Sequence, residues 1–361
     1  MRAYWPATVA ALVAGAYVVW RLASFGWQPI ELFELGTRFS QGIEGGSPGY
    51  DGQFSYYIAS SPDPKVVEPN LDVPAYRYQR ILYPLSARVM SIGVEAWLPW
   101  SFVIVGLLAH WGGTWAVARF LMDQALNPWY ALSYGLWVGL VAPIGLGLGE
   151  PLAYGLAAGG WLLRARGRVG WSALLFGLAL FAKETTIIFL AAAILAELAG
   201  QRRSRALVAY LASLAVFVGW QAWLWRTFGS PGLGSGGDMA TSFEWIPFMG
   251  LFRIGSVDML ALGLFLLIFL PTIVLPTIWA VIASIRSILK GIPSAEAWSL
   301  LGNGIALMVL PFSTFREPLG LVRFASGLVL AVILFSASRQ LMRPLRYSLF
   351  WTALLAILLA Q

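Results

Sequence analysis

Long apolar runs separated by short polar connections make up most of the chain. The first run, Trp5 to Phe25, holds roughly 20 residues, enough to cross a hydrocarbon core of about 30 Å as a helix. The further runs lie near Ala96 to Phe120, Pro128 to Leu148, Pro151 to Leu163, Trp171 to Phe181, Thr186 to Leu198, Ala206 to Trp225, Asp258 to Ile285, Ala297 to Phe312, Gly320 to Phe335 and Tyr347 to Ala360. The pattern predicts an all-α, polytopic transmembrane bundle of about eleven spans, which forms one integral-membrane domain over residues 1–361.

Some of these runs have a second interpretation. Several between Pro151 and Leu198 are shorter than the ~17 residues of a usual span, so re-entrant or protein-packed helices are the alternative there. A cleaved signal peptide is the alternative for the first run. Its length, its residues Tyr17 and Trp20 and the lack of a small-x-small cleavage site favour an uncleaved span.

Two polar segments interrupt the apolar pattern. The first, residues 26–95, opens with a stretch at 29–39 in which apolar and charged residues recur at helical spacing, as in a helix on the membrane surface. Its part from Gly49 to Pro84 is rich in tyrosine and charged residues. The second segment, residues 227–257, contains a glycine-rich stretch that predicts a flexible outer loop and a candidate lid.

Composition and charge agree with a membrane protein. The 361 residues are 59% hydrophobic and 11% charged, which excludes the charged surface of a soluble globule. The net charge of +7 comes from short basic clusters between apolar runs, so topology is a simpler explanation than nucleic acid, which we do not expect as a partner. The chain has no cysteine and therefore forms no disulfides.

The basic clusters also predict an orientation. With a cytoplasmic N-terminus, the arginines at 164–168 and 202–205 all fall in inside connections, in agreement with the positive-inside rule. We therefore expect a multi-pass plasma-membrane protein with residues 26–95 outside. Ionisable groups near the membrane boundary are costly and hence candidates for function. The outer sets are Asp51 with its neighbours, Glu150, Lys183 with Glu184, Arg253, and Arg316 with Glu317 and Arg323.

These residue types suit transfer of a group from a lipid-linked phosphate. Arginine and lysine bind phosphate at the interface and stabilise it as it departs. A carboxylate removes the proton from the attacking acceptor hydroxyl, and aromatic side chains offer flat faces to sugar rings.

Sequence motifs point to a family. The segments 50–54 (YDGQF) and 76–84 (YRYQRILYP) resemble the GT-C class of integral-membrane glycosyltransferases, and more narrowly a bacterial branch described as cell-surface glycopolymer formation proteins. Residues 150–154, 182–186 and 320–324 are similar too. The resemblance implies a polyprenyl- or dolichyl-phosphate sugar donor, a glycan or other acceptor, inversion of the anomeric centre and an essential acid in the first outer loop. Many class members have a second acid where this chain has Gly52, which leaves metal dependence open.

Roles follow from this resemblance. Asp51 is the predicted catalytic base. The predicted donor-phosphate ligands are Arg77, Arg80, Lys183, Arg323 and Arg316, and the predicted supporting or sugar-contacting residues are Tyr50, Gln53, Tyr76, Glu150 and Glu184. No metal ligands and no firm cofactor are predicted, because the single His110 has no second histidine with which to share a metal.

Each role has a structural alternative. Tyr-Asp-Gly is also a turn signal, the arginines could snorkel at the interface, and Lys183 with Glu184 could form a local ion pair. Other functions stay open as well: a lipid or solute transporter, a non-catalytic subunit of a membrane complex, or a ligase or phosphotransferase acting on the same carriers.

Overall fold

The computed structural model describes residues 2–200 and 205–360, and every regular element among them is helical, which confirms the all-α prediction. The α-helices, in chain order, are α1 (Tyr4–Ser24), α2 (Thr37–Ser40), α3 (Gly52–Ser60), α4 (Pro64–Val67), α5 (Pro74–Tyr78), α6 (Leu82–Met90), α7 (Leu98–Asp123), α8 (Leu132–Gly135), α9 (Val138–Val141), α10 (Glu150–Ala165), α11 (Val169–Ala182), α12 (Ile187–Ala199), α13 (Arg205–Phe228), α14 (Met249–Val257), α15 (Met259–Phe269), α16 (Leu275–Leu289), α17 (Ala295–Met308), α18 (Phe312–Arg316), α19 (Pro318–Ser338) and α20 (Met342–Ser348). The 3₁₀ segments are Pro29–Phe33, Glu68–Asn70, Glu95–Trp97, Pro128–Ala131, Ala142–Leu146, Glu184–Thr186 and Leu349–Ala360, and a π-helical turn covers Leu270–Val274.

Five helical segments are long and apolar enough to cross a membrane. They are Tyr4–Ser24, Glu95–Asp123, Arg205–Phe228, Met259–Leu289 and Pro318–Ser338. A pair bent by 67°, Pro128–Gly135 with Val138–Leu146, makes a sixth if it is counted as one span. The described residues thus contain five or six helices of spanning length, and the prediction of about eleven is wrong in number.

Helix length explains the difference. The predicted runs between Pro151 and Leu198 do form helices, but α10, α11 and α12 have only 16, 14 and 13 residues. At about 1.5 Å per residue they are roughly 20 to 24 Å long, less than a hydrocarbon core of about 30 Å. An apolar run therefore marked each helix correctly without showing that the helix spans the membrane.

The predicted span Pro128 to Leu148 is broken at Trp137. Trp137 has an extended backbone (φ −69°, ψ 123°) between α8 and α9, and its indole donates a hydrogen bond to the Val322 carbonyl oxygen at 2.9 Å. The bend lets the chain pass close to α19, and the 3₁₀ segment Ala142–Leu146 then runs towards the start of α3. The break therefore brings the segment before Glu150 to the start of α3, in the first polar segment.

The central helix of the bundle is α19. It is buried along almost its whole length and packs against α9, α10, α17 and α20. Around it, α7 packs closely on α1 and α10, and α11 packs on α10 and α13. Because α19 carries Arg323 in its second turn, the core of the fold places one cation beside the first polar segment.

The candidate site and the arginine clusters lie at opposite ends of the same helices. Glu150 is the first residue of α10 and Arg164 lies in its last turn, about 20 Å away at 1.5 Å per residue. Lys183 follows the last residue of α11, whereas Arg168 precedes its first. This separation agrees with the unequal charge distribution in the sequence. Arg202 and Arg203 lie outside the described residues, and a cytoplasmic N-terminus stays a prediction.

The first polar segment has a defined structure. The stretch 29–39 is not one surface helix, because Glu34 adopts a left-handed backbone (φ 49°) between the 3₁₀ segment Pro29–Phe33 and α2. Phe33 is buried and its ring packs against Phe102. The Arg21 guanidinium contacts the Glu34 carboxylate at 2.7 Å, which ties the segment to the end of α1.

Candidate active site

A narrow cavity at the Glu150 end of α10 collects most of the predicted site residues. Its charged lining comes from four different regions of the chain: the α3 and α5 region, the start of α10, the end of α11, and α19. The lining residues are Asp51, Phe54, Ser55, Arg77, Arg80, Tyr83, Leu148, Gly149, Glu150, Ala182, Lys183 and Arg323. Four of the five predicted phosphate ligands therefore meet the predicted base in one place.

Asp51 precedes the first residue of α3 but does not cap it. Its side chain makes no hydrogen bond to the backbone of that helix. Instead, Oδ1 accepts from Arg77 Nη1 at 2.9 Å and Oδ2 accepts from Arg323 Nη1 at 3.2 Å. The carboxylate thus does not make the local backbone bond of a simple turn, and 32% of its side-chain surface stays exposed.

Electrostatics keep Asp51 ionised. Burial alone would raise the pKa of its carboxyl group, but the charges of Arg77 and then Arg323 outweigh burial and lower the pKa well below its ordinary value. The carboxylate is therefore ionised and can accept a proton, but its lowered pKa makes it a weak base.

All three guanidinium nitrogens of Arg77 contact a carboxylate, and one of them holds Asp51. Its Nε and Nη2 atoms each donate to the Asp72 carboxylate at 2.7 Å, and Nη1 donates to Asp51. The guanidinium also stacks 4.1 Å from the centre of the Phe54 ring. Since every nitrogen already has a carboxylate partner, Arg77 is better suited to position Asp51 than to receive a ligand.

Arg80 is paired but not fully used. Nε and Nη2 donate to the Glu184 carboxylate at 2.8 and 2.7 Å, and Nη2 also donates to the Tyr76 hydroxyl at 2.6 Å. Burial raises the pKa of Glu184, but the Arg80 charge outweighs it and the pKa is lowered. Within the part of the chain that the structure describes, Arg80 Nη1 has no hydrogen-bond partner, and this side chain lines the cavity.

Glu150 connects two cations at the floor of the cavity. Its Oε1 atom accepts from Lys183 Nζ at 2.6 Å and from Arg323 Nε at 2.7 Å, and the residue is 1% exposed. Burial raises the Glu150 pKa, but Arg323 and Lys183 lower it to about 2. Burial acts in the opposite sense on Lys183 and lowers its pKa despite the Glu150 contact. The two short charge-assisted bonds from Lys183 and Arg323 favour the ionised form of Glu150.

Arg323 connects Glu150 with Asp51. Besides Glu150 and Asp51, it donates through Nη1 to the Tyr50 hydroxyl at 3.1 Å, and that hydroxyl donates to Glu317 Oε1 at 2.6 Å. Its Nη2 atom has no hydrogen-bond partner among the described residues. Arg323 therefore contacts the predicted base and keeps one donor free for a ligand.

The charges of the site balance without a ligand. The four cations are Arg77, Arg80, Lys183 and Arg323, and the four carboxylates that they contact are Asp51, Asp72, Glu150 and Glu184. A dianionic phosphate that enters this network has to draw donors away from carboxylates or use the free ones.

The remaining predicted residues lie in different places. Gln53 is buried, accepts from the Gly36 amide at 3.0 Å and donates to the Pro48 carbonyl at 2.7 Å, so it holds the loop together. Arg316 is exposed at the end of α18 and does not line the cavity. The structure thus does not bring Arg316 together with the other four cations, and its role as a phosphate ligand has no geometric support.

Two acids touch the site without a predicted role in it, Asp72 and Glu317, although Glu317 belongs to one of the outer ionisable sets. Asp72 accepts a hydrogen bond from Arg77, and Glu317 accepts one from the Tyr50 hydroxyl. Both lie close in sequence to a predicted cation, Asp72 five residues before Arg77 and Glu317 six before Arg323. This proximity is the one signal by which sequence reasoning could have found them.

The glycine-rich part of the second polar segment lies over the Arg77 side of the site. The amides of Gly232 and Leu233 donate to Gln221 Oε1 at 2.9 and 3.0 Å, and the Asp238 amide donates to Asp72 at 3.2 Å. Further along, the Thr241 amide donates to the Ser313 hydroxyl at 3.1 Å. The segment predicted as a lid is thus hydrogen-bonded to Asp72, the carboxylate that holds Arg77.

Gly52 stands where the resemblance leads one to expect a second acid, and the structure gives a reason. A Cβ atom at this position would overlap the Leu146 carbonyl oxygen, which is backbone and cannot swing away. The close approach of α3 to the segment before Glu150 therefore requires glycine next to Asp51.

We predict that Gly52→Ala lowers the midpoint of thermal unfolding and lowers any activity of the site, because overpacking costs about 1 to 3 kcal/mol and displaces Asp51. Gly15→Ala is the matched control, since a Cβ on that α1 residue meets nothing within 4 Å. The control should be neutral or slightly stabilising. Equal unfolding midpoints for parent and Gly52→Ala would show that the two segments separate without cost.

Among the described residues, no group of three histidine, cysteine, aspartate or glutamate side chains is arranged to hold a metal ion. The chain matches no protein-family model, and neither a curated protein nor a solved structure is significantly similar to it.

Proposed function

We propose that the protein is an inverting glycosyltransferase of GT-C type that moves a sugar from a polyprenyl-phosphate donor to a glycan acceptor at the outer face of the plasma membrane. One observation carries the proposal: an ionised, partly exposed carboxylate shares a cavity with three cations that have hydrogen-bond donors to spare, at one end of a bundle of membrane-length helices. A lipid-borne phosphate would reach such a cavity from the bilayer.

Each ionisable group of the site has one role in the proposed reaction. The acceptor hydroxyl oxygen attacks the anomeric carbon of the donor sugar while its proton passes to Asp51. The bond between the anomeric carbon and the phosphate oxygen breaks, and polyprenyl phosphate leaves with the electron pair. Attack opposite the leaving group inverts the anomeric centre. Asp51 supplies general-base catalysis, and the nearby cations stabilise the charge that develops on the leaving phosphate.

Donor counting divides the cations into two roles. Lys183 Nζ has one carboxylate partner for three protons, and Arg80 Nη1 and Arg323 Nη2 have no partner in the described part of the chain, so these three groups are the phosphate ligands. Arg77 has no spare nitrogen and positions the base. This assignment replaces the sequence-based expectation that Arg77 binds phosphate.

The division predicts different kinetic effects for two substitutions. Lys183→Gln should raise KM for the donor by about tenfold or more, the effect of losing one charged hydrogen bond, with a smaller change in kcat. Arg77→Gln should lower kcat with little change in donor KM, and should move the acidic limb of the pH–rate profile to higher pH. The reason is that Asp51 loses the charge that most lowers its pKa.

Both variants are measured on purified full-length protein in nanodiscs, with release of polyprenyl phosphate as the readout. The test is which variant mainly changes donor KM and which mainly changes kcat. A large rise in donor KM for Arg77→Gln with an unmoved pH limb would contradict the assignment of Arg77 as a positioning residue.

The function itself is tested with a panel of polyprenyl-phosphate monosaccharides and a cell-envelope glycan fraction as acceptor. Sugar transfer that accompanies polyprenyl phosphate release supports the proposal. If the protein binds no polyprenyl monophosphate more tightly than the corresponding alcohol, the donor class is wrong. A non-catalytic subunit or a transporter is then the better interpretation.

A further inference from the structure

Arg323 has two uses in the site that conflict with each other. Its Nη1 atom donates to Asp51 Oδ2 and to the Tyr50 hydroxyl, while the same guanidinium provides Nη2 to the cavity. When Oδ2 accepts a bond from Arg323 and Oδ1 one from Arg77, both oxygens of Asp51 are engaged with cations. An acceptor hydroxyl therefore has to share a carboxylate oxygen with an arginine, whose positive charge makes that oxygen a weaker base.

On the basis of the function proposed above, we propose that the donor phosphate and Asp51 compete for Arg323, so that binding of the donor releases Asp51 Oδ2 to accept the proton of the acceptor hydroxyl. Donor binding would then switch on the base. In the absence of donor, Arg323 keeps the base engaged.

The geometry favours Arg323 over Arg77 as the group that moves. Arg77 is fixed by two 2.7 Å bonds to Asp72 and one of 2.9 Å to Asp51. The Nη1 bonds of Arg323 are longer, 3.2 Å to Asp51 and 3.1 Å to Tyr50, and only its Nε bond to Glu150 is short, at 2.7 Å. Since the guanidinium is planar and rigid, it would move as one group: a change in the side-chain torsions that pivots it about the Nε–H bond to Glu150 would turn Nη1 away from Asp51 while that bond is kept.

Charge supports the same direction of transfer. The phosphate of the donor is a diester with one negative charge, and arginine can bind its two free oxygens in a bidentate manner; a second charge develops on this group as the bond to the sugar breaks. Because the four cations and four carboxylates already balance, an Arg323 donor that turns to the phosphate in addition to the free Nη2 atom has to leave an existing pair. The Asp51 pair, which is partly exposed, is the weakest bond that Arg323 makes to a carboxylate.

A reciprocal consequence follows, since coupling between two interactions acts equally in both directions. If phosphate weakens the hold of Arg323 on Asp51, removal of the Asp51 charge must strengthen phosphate binding. A gain from long-range charge alone would be the same with and without Arg323, so the part of the gain that depends on Arg323 identifies the competition.

The test is a double-mutant cycle on the full-length protein in nanodiscs at fixed pH and salt. Binding of farnesyl monophosphate is titrated against the parent, Asp51→Asn, Arg323→Gln and the double variant. Farnesol, which has the same tail without the phosphate, serves as the matched ligand control, and empty nanodiscs correct for partition into lipid. Thermal unfolding confirms that each variant is folded.

We expect Asp51→Asn to bind farnesyl monophosphate about tenfold more tightly than the parent, because one charged hydrogen bond no longer has to be broken. The gain should largely disappear in the Arg323→Gln background. Equal affinities of parent and Asp51→Asn would overturn the competition, as would the same gain in both backgrounds, which would reflect long-range charge alone.

The outcomes also separate this inference from the function on which it depends. A parent protein that binds farnesyl monophosphate no better than farnesol rules out the donor class. A parent that prefers the phosphate, together with an Asp51→Asn variant that does not gain affinity, rules out the competition only.

A second measurement covers the case in which Asp51→Asn does not fold. The parent is labelled with ¹³C in its aspartate carboxyl groups, and infrared difference spectra are recorded on addition of farnesyl monophosphate. Asp51 is the aspartate among the described cavity-lining residues. Release from Arg323 should shift an aspartate carboxylate band, whereas farnesol should not. An unchanged aspartate spectrum on phosphate binding overturns the proposal.

Discussion

Asp51→Asn should lower the rate of sugar transfer by a factor between about 10² and 10⁴, the usual contribution of a general base. Asparagine keeps the size of the side chain and one oxygen that can accept the bond from Arg77, but it cannot take up a proton. The loss should therefore appear in kcat, while donor KM should stay the same or fall. The measurement is initial-rate kinetics of polyprenyl phosphate release with purified, folded protein.

Asp63→Asn is the matched control for this substitution. Asp63 lies in the same outer segment, where its carboxylate accepts a hydrogen bond from the Lys65 amide at the start of α4 and does not line the cavity. Asparagine caps helices as well as aspartate does, so neither transfer nor stability should change. Parental rates for Asp51→Asn would refute its assignment as the base. Equal losses for both variants would indicate a general disturbance of the loop.

Glu150→Gln should reduce the free energy of unfolding by about 3 to 5 kcal/mol, the usual result of removing one partner from a buried ion pair. Glu150 alone accepts the short bonds from Lys183 and from Arg323 Nε, so glutamine leaves Lys183 without a counter-charge and Arg323 with only its longer contact to Asp51. The measurement is thermal or denaturant unfolding of the full chain in detergent or nanodiscs. Glu44→Gln, at an exposed position in the first outer segment, is the control and should be neutral.

The same carboxylate predicts a pH dependence of stability. Its pKa is lowered from an ordinary value of 4.5 to about 2 in the folded protein, so the folded state favours the ionised form. The resulting stabilisation, about 3 kcal/mol by linkage, is fully present above the unfolded pKa and is lost as the pH falls from about 4.5 to about 2. In Glu150→Gln this contribution should be missing, and its stability should decline less steeply over that range. Parallel pH curves for the two proteins would contradict the ion-pair assignment.

The residues that line the cavity could be predicted from the sequence, but their pairing could not. Asp51, Arg77, Arg80, Lys183 and Arg323 were selected as ionisable groups near span ends and from motif resemblance, and they line one cavity. Their pairing was not predictable, because the partners lie far apart: Asp51 and Arg323 are separated by 272 residues, and Glu150 and Arg323 by 173. Arg316 fits the same sequence criteria and yet lies on the surface.

Hydrophobicity and charge, which act through local chain composition, determined the helical class, the positions of the long apolar helices and the unequal distribution of ionisable groups between helix ends. Each helix satisfies its own backbone hydrogen bonds, so an apolar run is enough to predict it. The number of helices that reach across a membrane, the break at Trp137 and the requirement for glycine at position 52 were decided by tertiary packing. So was the use of each guanidinium nitrogen, because a hydrogen bond depends on the distance and direction between two atoms that only the folded chain brings together.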